Sequence, residues 1–249
     1  MELLLFVVML LILIYVFYRN YKLIGRYTHD KKFIEAYRSL LNQEENAYEK
    51  LSTYCDEETS LDLKNKGLLL KLYCEINEDK NYLDTLKQLN LKDIFYKDNK
   101  FSNALVSTNI DTFIWVNILL AKARNKSKFD VLNTLNEQLF SIPELDNRLE
   151  YNLSKALYNC LNEKEDGGIK FMSDLLEGNY IEYQYDKKLI ALYKRFAAAS
   201  LAYSGELIED YFKQDLSDFS NSQLGYMFME ALDIYDKYHL ENKEENTEE

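Results

Sequence analysis

The sequence predicts an all-α protein, and three observations support that prediction. The chain of 249 residues contains one proline and seven glycines, so folds that depend on many tight turns are disfavoured. Hydrophobic residues make up 47% of the chain, which is enough to build a core. Apolar residues also recur with the spacing of one helical face along most of the sequence. We therefore expect one transmembrane helix followed by an α-α superhelix of about five helix pairs and a terminal helix.

The first predicted element is an uninterrupted apolar run of sixteen residues. At about 1.5 Å per residue it covers about 24 Å, close to the ~30 Å hydrocarbon layer of a bilayer. No basic residue precedes the run and no small-residue cleavage site follows it, so a membrane anchor is favoured over a cleaved signal peptide. The predicted anchor residues are Leu3, Leu4, Leu5, Phe6, Val7, Val8, Met9, Leu10, Leu11, Ile12, Leu13, Ile14, Tyr15, Val16, Phe17 and Tyr18.

Basic residues directly after this run predict its orientation. Arg19, Lys22 and Arg26 follow the run, whereas only two residues, neither of them basic, precede it. Because cytoplasmic flanks of membrane helices are enriched in lysine and arginine, the N-terminus is expected outside the cell membrane. The remaining chain is then a cytoplasmic domain attached by a single pass.

Longer and shorter amphipathic segments alternate along the rest of the chain. The six longer segments begin at Phe33, Leu69, Ile110, Leu149, Leu189 and Leu224. The five shorter segments lie between them at 48–55, 83–89, 129–139, 169–176 and 207–212. Successive longer segments start 35 to 41 residues apart, which is a period typical of stacked helix pairs.

Polar residues and glycines between these segments predict where helices begin and end. Ser127 and Asp79 are expected to be N-caps, because their short side chains can accept hydrogen bonds from the first helical N–H groups. The sequence 166–168 and Gly178 are expected at helix ends, where glycine permits a left-handed backbone. Gly67 is the exception, since it falls within a predicted helix far from either end.

Two regions lack helical periodicity. Residues 90–109 predict a short helix around 92–96 followed by a loop. Residues 241–249 carry no apolar side chain and five glutamates, so a disordered acidic tail is expected there. The predicted organisation is an anchor at 1–25, a helical repeat domain at 26–240 and the tail.

The third repeat unit resembles a tetratricopeptide repeat. Trp115 and Pro143 are 28 residues apart, matching the spacing between the first-helix aromatic residue and the terminal proline of that family, and Ile118 occupies the following apolar position. The unit departs from the family pattern at Leu119, Val131 and Lys122, where the family prefers small residues or a tyrosine. The resemblance implies a degenerate array of helix pairs, an architecture that generally binds peptides or helices.

Composition and motifs exclude several functional classes. A net charge of −12 argues against nucleic-acid binding, and no glycine-rich phosphate loop or metal-binding motif occurs, so neither a cofactor nor a metal is predicted. Cys55, Cys74 and Cys160 each fall on an apolar stripe and are interpreted as small buried residues. His29 and His239 lie near opposite ends of the polar part of the chain, which does not suggest a shared site.

Candidate functional residues are few. A cluster of Tyr180, Tyr183 and Tyr185, with Arg195 further along, has the amphipathic and basic character of a partner-binding surface. The alanines in 196–200 are interpreted as a site of close helix packing. The densest acidic groups, 56–58 and 163–166, are interpreted as solvated charges.

These features predict a membrane-anchored scaffold that binds a protein partner, an arrangement similar to bacterial membrane-anchored tetratricopeptide adaptors. Two alternatives remain open at this stage. The body could face the other side of the membrane as an envelope-side binding module, if the charge bias did not determine orientation. It could also be an all-α enzyme with acidic residues in a groove, which requires two buried carboxylates that face each other.

Overall fold

A computed structural model describes residues 31–95, 110–142, 149–161 and 165–179, together with residues 10, 12, 14–16, 190–191, 193–195, 197–198, 225–226, 229–234 and 236. All regular structure in these ranges is α-helical, as predicted. The helices are α1 (31–41), α2 (Ala47–Glu57), α3 (Leu61–Asn77), α4 (Leu83–Gln88), α5 (Leu91–Phe95), α6 (Ile110–Asn125), α7 (Phe129–Phe140), α8 (Leu149–Leu161) and α9 (Glu165–Glu177). The described residues of 190–198 and 225–236 are also helical, and we refer to the latter as segment 225–236.

The predicted alternation of segments matches these helices. The longer predicted segments coincide with α1, α3, α6 and α8, and the shorter ones with α2, α4, α7 and α9. The short helix expected around 92–96 is α5. The loop expected after it, the fifth shorter segment and the acidic tail lie outside the described residues.

The predicted anchor falls mostly outside the described residues. Leu10, Ile12 and residues 14–16 are helical and exposed. Among the residues that the structure describes, no helix is long and apolar enough to cross a membrane. Arg19, Lys22 and Arg26 lie outside this set.

The prediction that Asp79 and Ser127 are N-caps is wrong, because both residues close the preceding helix. The Ser127 N–H donates to the Arg124 carbonyl at 3.0 Å, and the next N–H reaches back five residues to Ala123 at 2.7 Å. This pair of bonds defines a Schellman motif, in which one residue adopts the left-handed conformation. The same pattern of bonds occurs after α1, α3 and α9, and the left-handed residues are Gln43, Asp79, Ser127 and Gly178, with φ of 55°, 52°, 55° and 87°.

The glycines around α9 have different roles. Gly178 ends the helix with a positive φ, as predicted. The sequence 166–168 does not lie in a connection, because α9 begins at Glu165 and includes it within its first turn. The predicted segment, which begins at Ile169, therefore starts four residues after the observed helix.

Neighbouring helices pack in chain order. The longer helices lie side by side, α3 against α6 and α6 against α8, while α2 packs on α3, α7 on α6 and α9 on α8. Gly67 allows α2 and α3 to approach closely, since a Cβ at this position would lie 2.9 Å from both the Cys55 sulfur and the Tyr54 ring. Cys55 and Cys74 are buried, as predicted, and burial raises the pKa of each thiol to about 12. The side chain of Cys160 is outside the described set.

Segment 225–236 departs from this nearest-neighbour order. Its Tyr226 ring lies 5.4 Å from the Trp115 ring of α6 and 5.5 Å from the Tyr73 ring of α3. The Tyr226 hydroxyl donates to the Leu40 carbonyl of α1 at 2.7 Å. With Tyr37, which accepts a hydrogen bond from the Trp115 indole at 3.2 Å, these rings form what we call the aromatic cluster. The last described segment therefore contacts the first three long helices.

The residues that carry the tetratricopeptide resemblance are buried where the structure describes them. Trp115 is 3% exposed, and Ile118, Leu119 and Val131 are fully buried. The two bulky residues at positions where the family prefers small ones are therefore accommodated within the core. Pro143 is outside the described residues.

Candidate functional site

A cleft of about 650 Å³ lies between segment 225–236, the turn that joins α1 to α2, and the end of α3. Among the residues that line it, five are acidic and one is basic: Glu44, Glu45, Glu78, Glu230, Asp233 and Lys122. We call this feature the acidic cleft. It adjoins the aromatic cluster, because Tyr73 and Tyr226 also line it.

A buried ion pair lies at the base of the cleft. The Lys122 ammonium, on α6, is 2.8 Å from Glu230 Oε1 and 3.9 Å from Asp233 Oδ2. The Tyr73 hydroxyl donates a long hydrogen bond of 3.4 Å to the same Glu230 oxygen. Glu230 is 2% exposed, and its second oxygen, Oε2, is buried without a hydrogen-bond partner among the described residues. One half of this carboxylate is thus bonded and the other half is not.

The pKa values of this group follow from burial. The net effect is to raise the pKa of Glu230 to about 7: desolvation is the largest cause and Asp233 also raises the pKa, whereas Lys122 and the Tyr73 hydrogen bond lower it. Burial and the Glu230 charge raise the pKa of the Tyr73 phenol. Burial also raises the pKa of Tyr226 to about 12, so both phenols are neutral hydrogen-bond donors at neutral pH.

The outer acids of the cleft fall into two groups. Glu44 pairs with Lys50, and Glu78 pairs with Lys80, each at 2.6 Å. Glu45 is exposed and has no ion pair within the described part of the chain. Exposed pairs of this kind contribute little to stability, so their main effect is on the local potential.

Glu75 is a second buried carboxylate, but it belongs to a different face of α3. Its Oε1 accepts hydrogen bonds from Thr85 at 3.0 Å and Tyr48 at 3.4 Å. Tyr73 and Glu75 are two positions apart, which places them about 200° apart around a helix. Glu75 therefore connects α3 to α2 and α4, whereas Tyr73 connects it to Glu230. The two carboxylates share no hydrogen-bond partner among the described contacts.

The predicted partner-binding residues are only partly described. Arg195 is 3% exposed, so its side chain lies in the interior rather than on the surface, and burial lowers its pKa. Tyr180, Tyr183 and Tyr185 lie outside the described residues. Ala197 and Ala198 are buried, which agrees with a role in close packing.

The interpretation of the acidic group 56–58 as solvated charges is wrong for one of its residues. Glu58, expected to be solvated, is 5% exposed. Its carboxylate accepts hydrogen bonds from the backbone N–H groups of Thr59 and Ser60 at 2.8 and 2.7 Å. Glu58 therefore orders the connection that precedes α3. The side chains of 163–166 are outside the described set.

Sequence reasoning did not identify the acidic cleft, although one signal for it was present. Lys122 replaces a tyrosine at a position of the repeat that is expected to be inward-facing, and a lysine on a buried face requires a counter-ion. Glu230 sits in an amphipathic segment where its neighbours Ala231 and Ile234 are buried. The pairing between them spans 108 residues and depends on how the last segment packs, which helical periodicity does not specify.

Comparisons with known proteins add no further assignment. Neither the protein-family models, nor the curated proteins, nor the solved structures contain a match to this chain. Within the described ranges, no group of histidine, cysteine, aspartate or glutamate side chains is arranged to hold a metal ion. Assignment of function therefore depends on the geometry and charge of the acidic cleft.

Proposed function

We propose that this protein is a single-pass membrane scaffold that holds a protein partner at the cytoplasmic face through a tetratricopeptide-like helical array. The observation that carries the proposal is the acidic cleft, a concave surface of about 650 Å³ with charged and aromatic walls. The packing of successive helix pairs in chain order supports the repeat architecture. Segment 225–236 closes this array by packing on α1, α3 and α6.

The apolar run at residues 3–18 gives the scaffold its location. Tethering increases the concentration of a bound partner near other membrane components, so location forms part of the function of a scaffold. The chain should therefore appear in the membrane fraction, and deletion of residues 3–18 should release it. Retention of the deleted chain in membranes would contradict the anchor. Protease digestion of spheroplasts distinguishes the cytoplasmic orientation, which predicts protection, from the envelope-side alternative.

Site-specific photo-crosslinking tests partner binding by the cleft. A photoreactive residue replaces Met229, which lines the cleft and is 50% exposed. The matched control position is Leu83 on α4, which is 47% exposed and does not line the cleft. We expect one specific protein to crosslink at position 229 in cells and not at position 83. Equal crosslinking at both positions, or none at position 229, would exclude the cleft as the binding surface.

A further inference from the structure

We infer that the acidic cleft binds a lysine or arginine side chain of a partner segment, with Glu230 Oε2 as its counter-ion. This inference rests on the proposed scaffold function and specifies the chemistry of the partner. A basic protein segment is the occupant to which the inference commits. A small polyamine carries the same cationic group and is treated as an alternative outcome of the test.

The charges around the cleft favour a cation. Lys50 and Lys80 balance Glu44 and Glu78, since each pair is separated by 2.6 Å. Of the remaining acids, Glu230 and Asp233 share the Lys122 ammonium, and Glu45 has no ion pair within the described residues. When Glu230 is ionised, two negative charges are therefore left over around the cleft, so an anionic ligand would be repelled and a cationic one attracted.

The second observation is the incomplete bonding of Glu230. A buried polar atom without a partner is costly, and a carboxylate has capacity for bonds at both oxygens. Lys122 and Tyr73 both bond to Oε1, whereas Oε2 has no hydrogen-bond partner in the part of the chain that the structure describes, and Glu230 lines the cleft. A guanidinium or ammonium that entered the cleft would supply the missing donor with a charge-assisted hydrogen bond. Entry requires lining side chains to move, and the unbranched Met229 has the freedom to do so.

The remaining walls suit the stem of a long basic side chain. Leu40, Ala47 and Met229 supply apolar surface, and Tyr73 and Tyr226 supply aromatic rings. Lysine and arginine bury their methylene stems along such surface while the charged end reaches a polar group. An ammonium beside aromatic rings also gains a cation–π contribution, as Lys122 does at 6.0 Å from the Tyr73 ring.

The single tryptophan of the chain provides the measurement. Trp115 lies 5.3 Å from the Tyr73 ring and 5.4 Å from the Tyr226 ring, so its emission should respond to a ligand in the cleft. The full-length protein in non-ionic detergent is titrated with a blocked tetralysine peptide, a blocked tetraglutamate peptide and spermine. We expect saturable binding of tetralysine that weakens as salt is added, because the attraction is screened, and no binding of tetraglutamate.

Three variants separate the cleft from general charge. Glu230→Gln should weaken tetralysine binding by about tenfold or more, because it removes the buried charge. The double variant Glu45→Gln with Asp233→Asn alters exposed acids, so it should stay folded and also weaken binding. Asp84→Asn on α4, which is exposed and outside the cleft, should bind like the wild type. If Glu230→Gln does not fold, as judged by circular dichroism, the tetralysine affinity of the double variant tests the inference instead.

Several results would overturn the inference. These are unchanged affinity in the Glu230→Gln and double variants, equal binding of tetraglutamate, or binding of spermine as tight as that of the peptide, which would indicate a small amine as the ligand. Failure here is distinguishable from failure of the scaffold function. A specific crosslink at position 229 without tetralysine binding would leave the scaffold in place and remove only the basic partner.

Discussion

Glu230 is a charged residue in a place from which water is nearly excluded, and its protonation is therefore linked to folding. Its pKa rises from 4.5 to about 7 when the chain folds, chiefly through desolvation. Between these two values the folded protein holds a proton that the unfolded chain has released. The free energy of unfolding must therefore decrease as the pH rises through this window and become constant above it.

This linkage predicts that the free energy of unfolding depends on pH through the titration of Glu230. A shift of this size corresponds to about 3 kcal/mol of unfolding free energy lost between about pH 4 and about pH 8. Urea unfolding of the wild type and of Glu230→Gln, followed by circular dichroism at both pH values, measures it. The Gln variant lacks the titrating group, so the difference between the two curves isolates Glu230. Parallel pH profiles in the two proteins would contradict the buried carboxylate.

At Ser127, the backbone conformation rather than a side-chain contact determines which residue type is most stable. Its φ of 55° is a conformation that glycine adopts more readily than any other residue. Ser127→Gly should therefore raise the free energy of unfolding by about 0.5–1 kcal/mol, whereas Ser127→Ala should not raise it. Thermal unfolding of the three proteins checks this. An equal gain in the alanine variant would show that the serine side chain, and not φ, was responsible.

At the scale of the elements, the contact between α2 and α3 depends on the absence of a side chain. Gly67→Ala places a methyl group 2.9 Å from the Cys55 sulfur and the Tyr54 ring, so these buried side chains or the helices that carry them must shift. We expect a loss of about 1–3 kcal/mol, the usual cost of adding a methyl group to a packed core. Denaturant unfolding measures the loss.

The same helix supplies the control. Leu61→Ala, at an exposed position of α3, should change the free energy of unfolding by less than about 0.5 kcal/mol. It removes three carbon atoms, whereas Gly67→Ala adds only one. If both substitutions were equally mild, the close approach at Gly67 would not be a constraint on the fold.

The elements themselves were predictable from the sequence to a useful degree. The apolar period located α3, α6 and α8, although α6 is buried on all sides rather than on one face, since residues 112–123 are all buried. The turns were less predictable, since aspartate and serine favour both N-caps and left-handed helix ends. The N-cap Lys128 directly follows Ser127, and the N-cap Tyr82 lies three positions after Asp79. Glu58 was misjudged for a related reason: a charge run next to a helix looks solvated until its hydrogen bonds to Thr59 and Ser60 are known.

The whole molecule is joined by contacts between its beginning and its last described segment. Such contacts could not be predicted, because helical periodicity tells which face of a helix is buried but not which distant helix covers it. Tyr226 bonds to Leu40 across 186 residues, and Glu230 pairs with Lys122. An open array with a terminal helix that touches only its neighbour would lack both contacts.

Truncation tests this closure. Ending the chain after residue 224 removes the Tyr226 ring from Trp115 and leaves Lys122 without Glu230. The Trp115 emission should shift to longer wavelength, and the free energy of unfolding should fall by roughly 3–5 kcal/mol. Ending the chain after residue 240 removes only the acidic tail and should change neither quantity. Unchanged emission in the shorter protein would show that segment 225–236 does not pack on the aromatic cluster.

The contact between Tyr226 and Trp115 also has a consequence for synthesis. Tyr226 is 111 positions after Trp115, so the cluster cannot be completed until this stretch has been translated. At 5–20 residues per second, translation of the stretch takes about 5–20 s. During that interval the rings of Tyr37, Tyr73 and Trp115 have no partner from the end of the chain. The nascent chain would then display an incompletely covered aromatic surface close to the ribosome. Folding of this protein should accordingly be slow, dependent on completion of the chain, and sensitive to chaperones that bind exposed apolar surface.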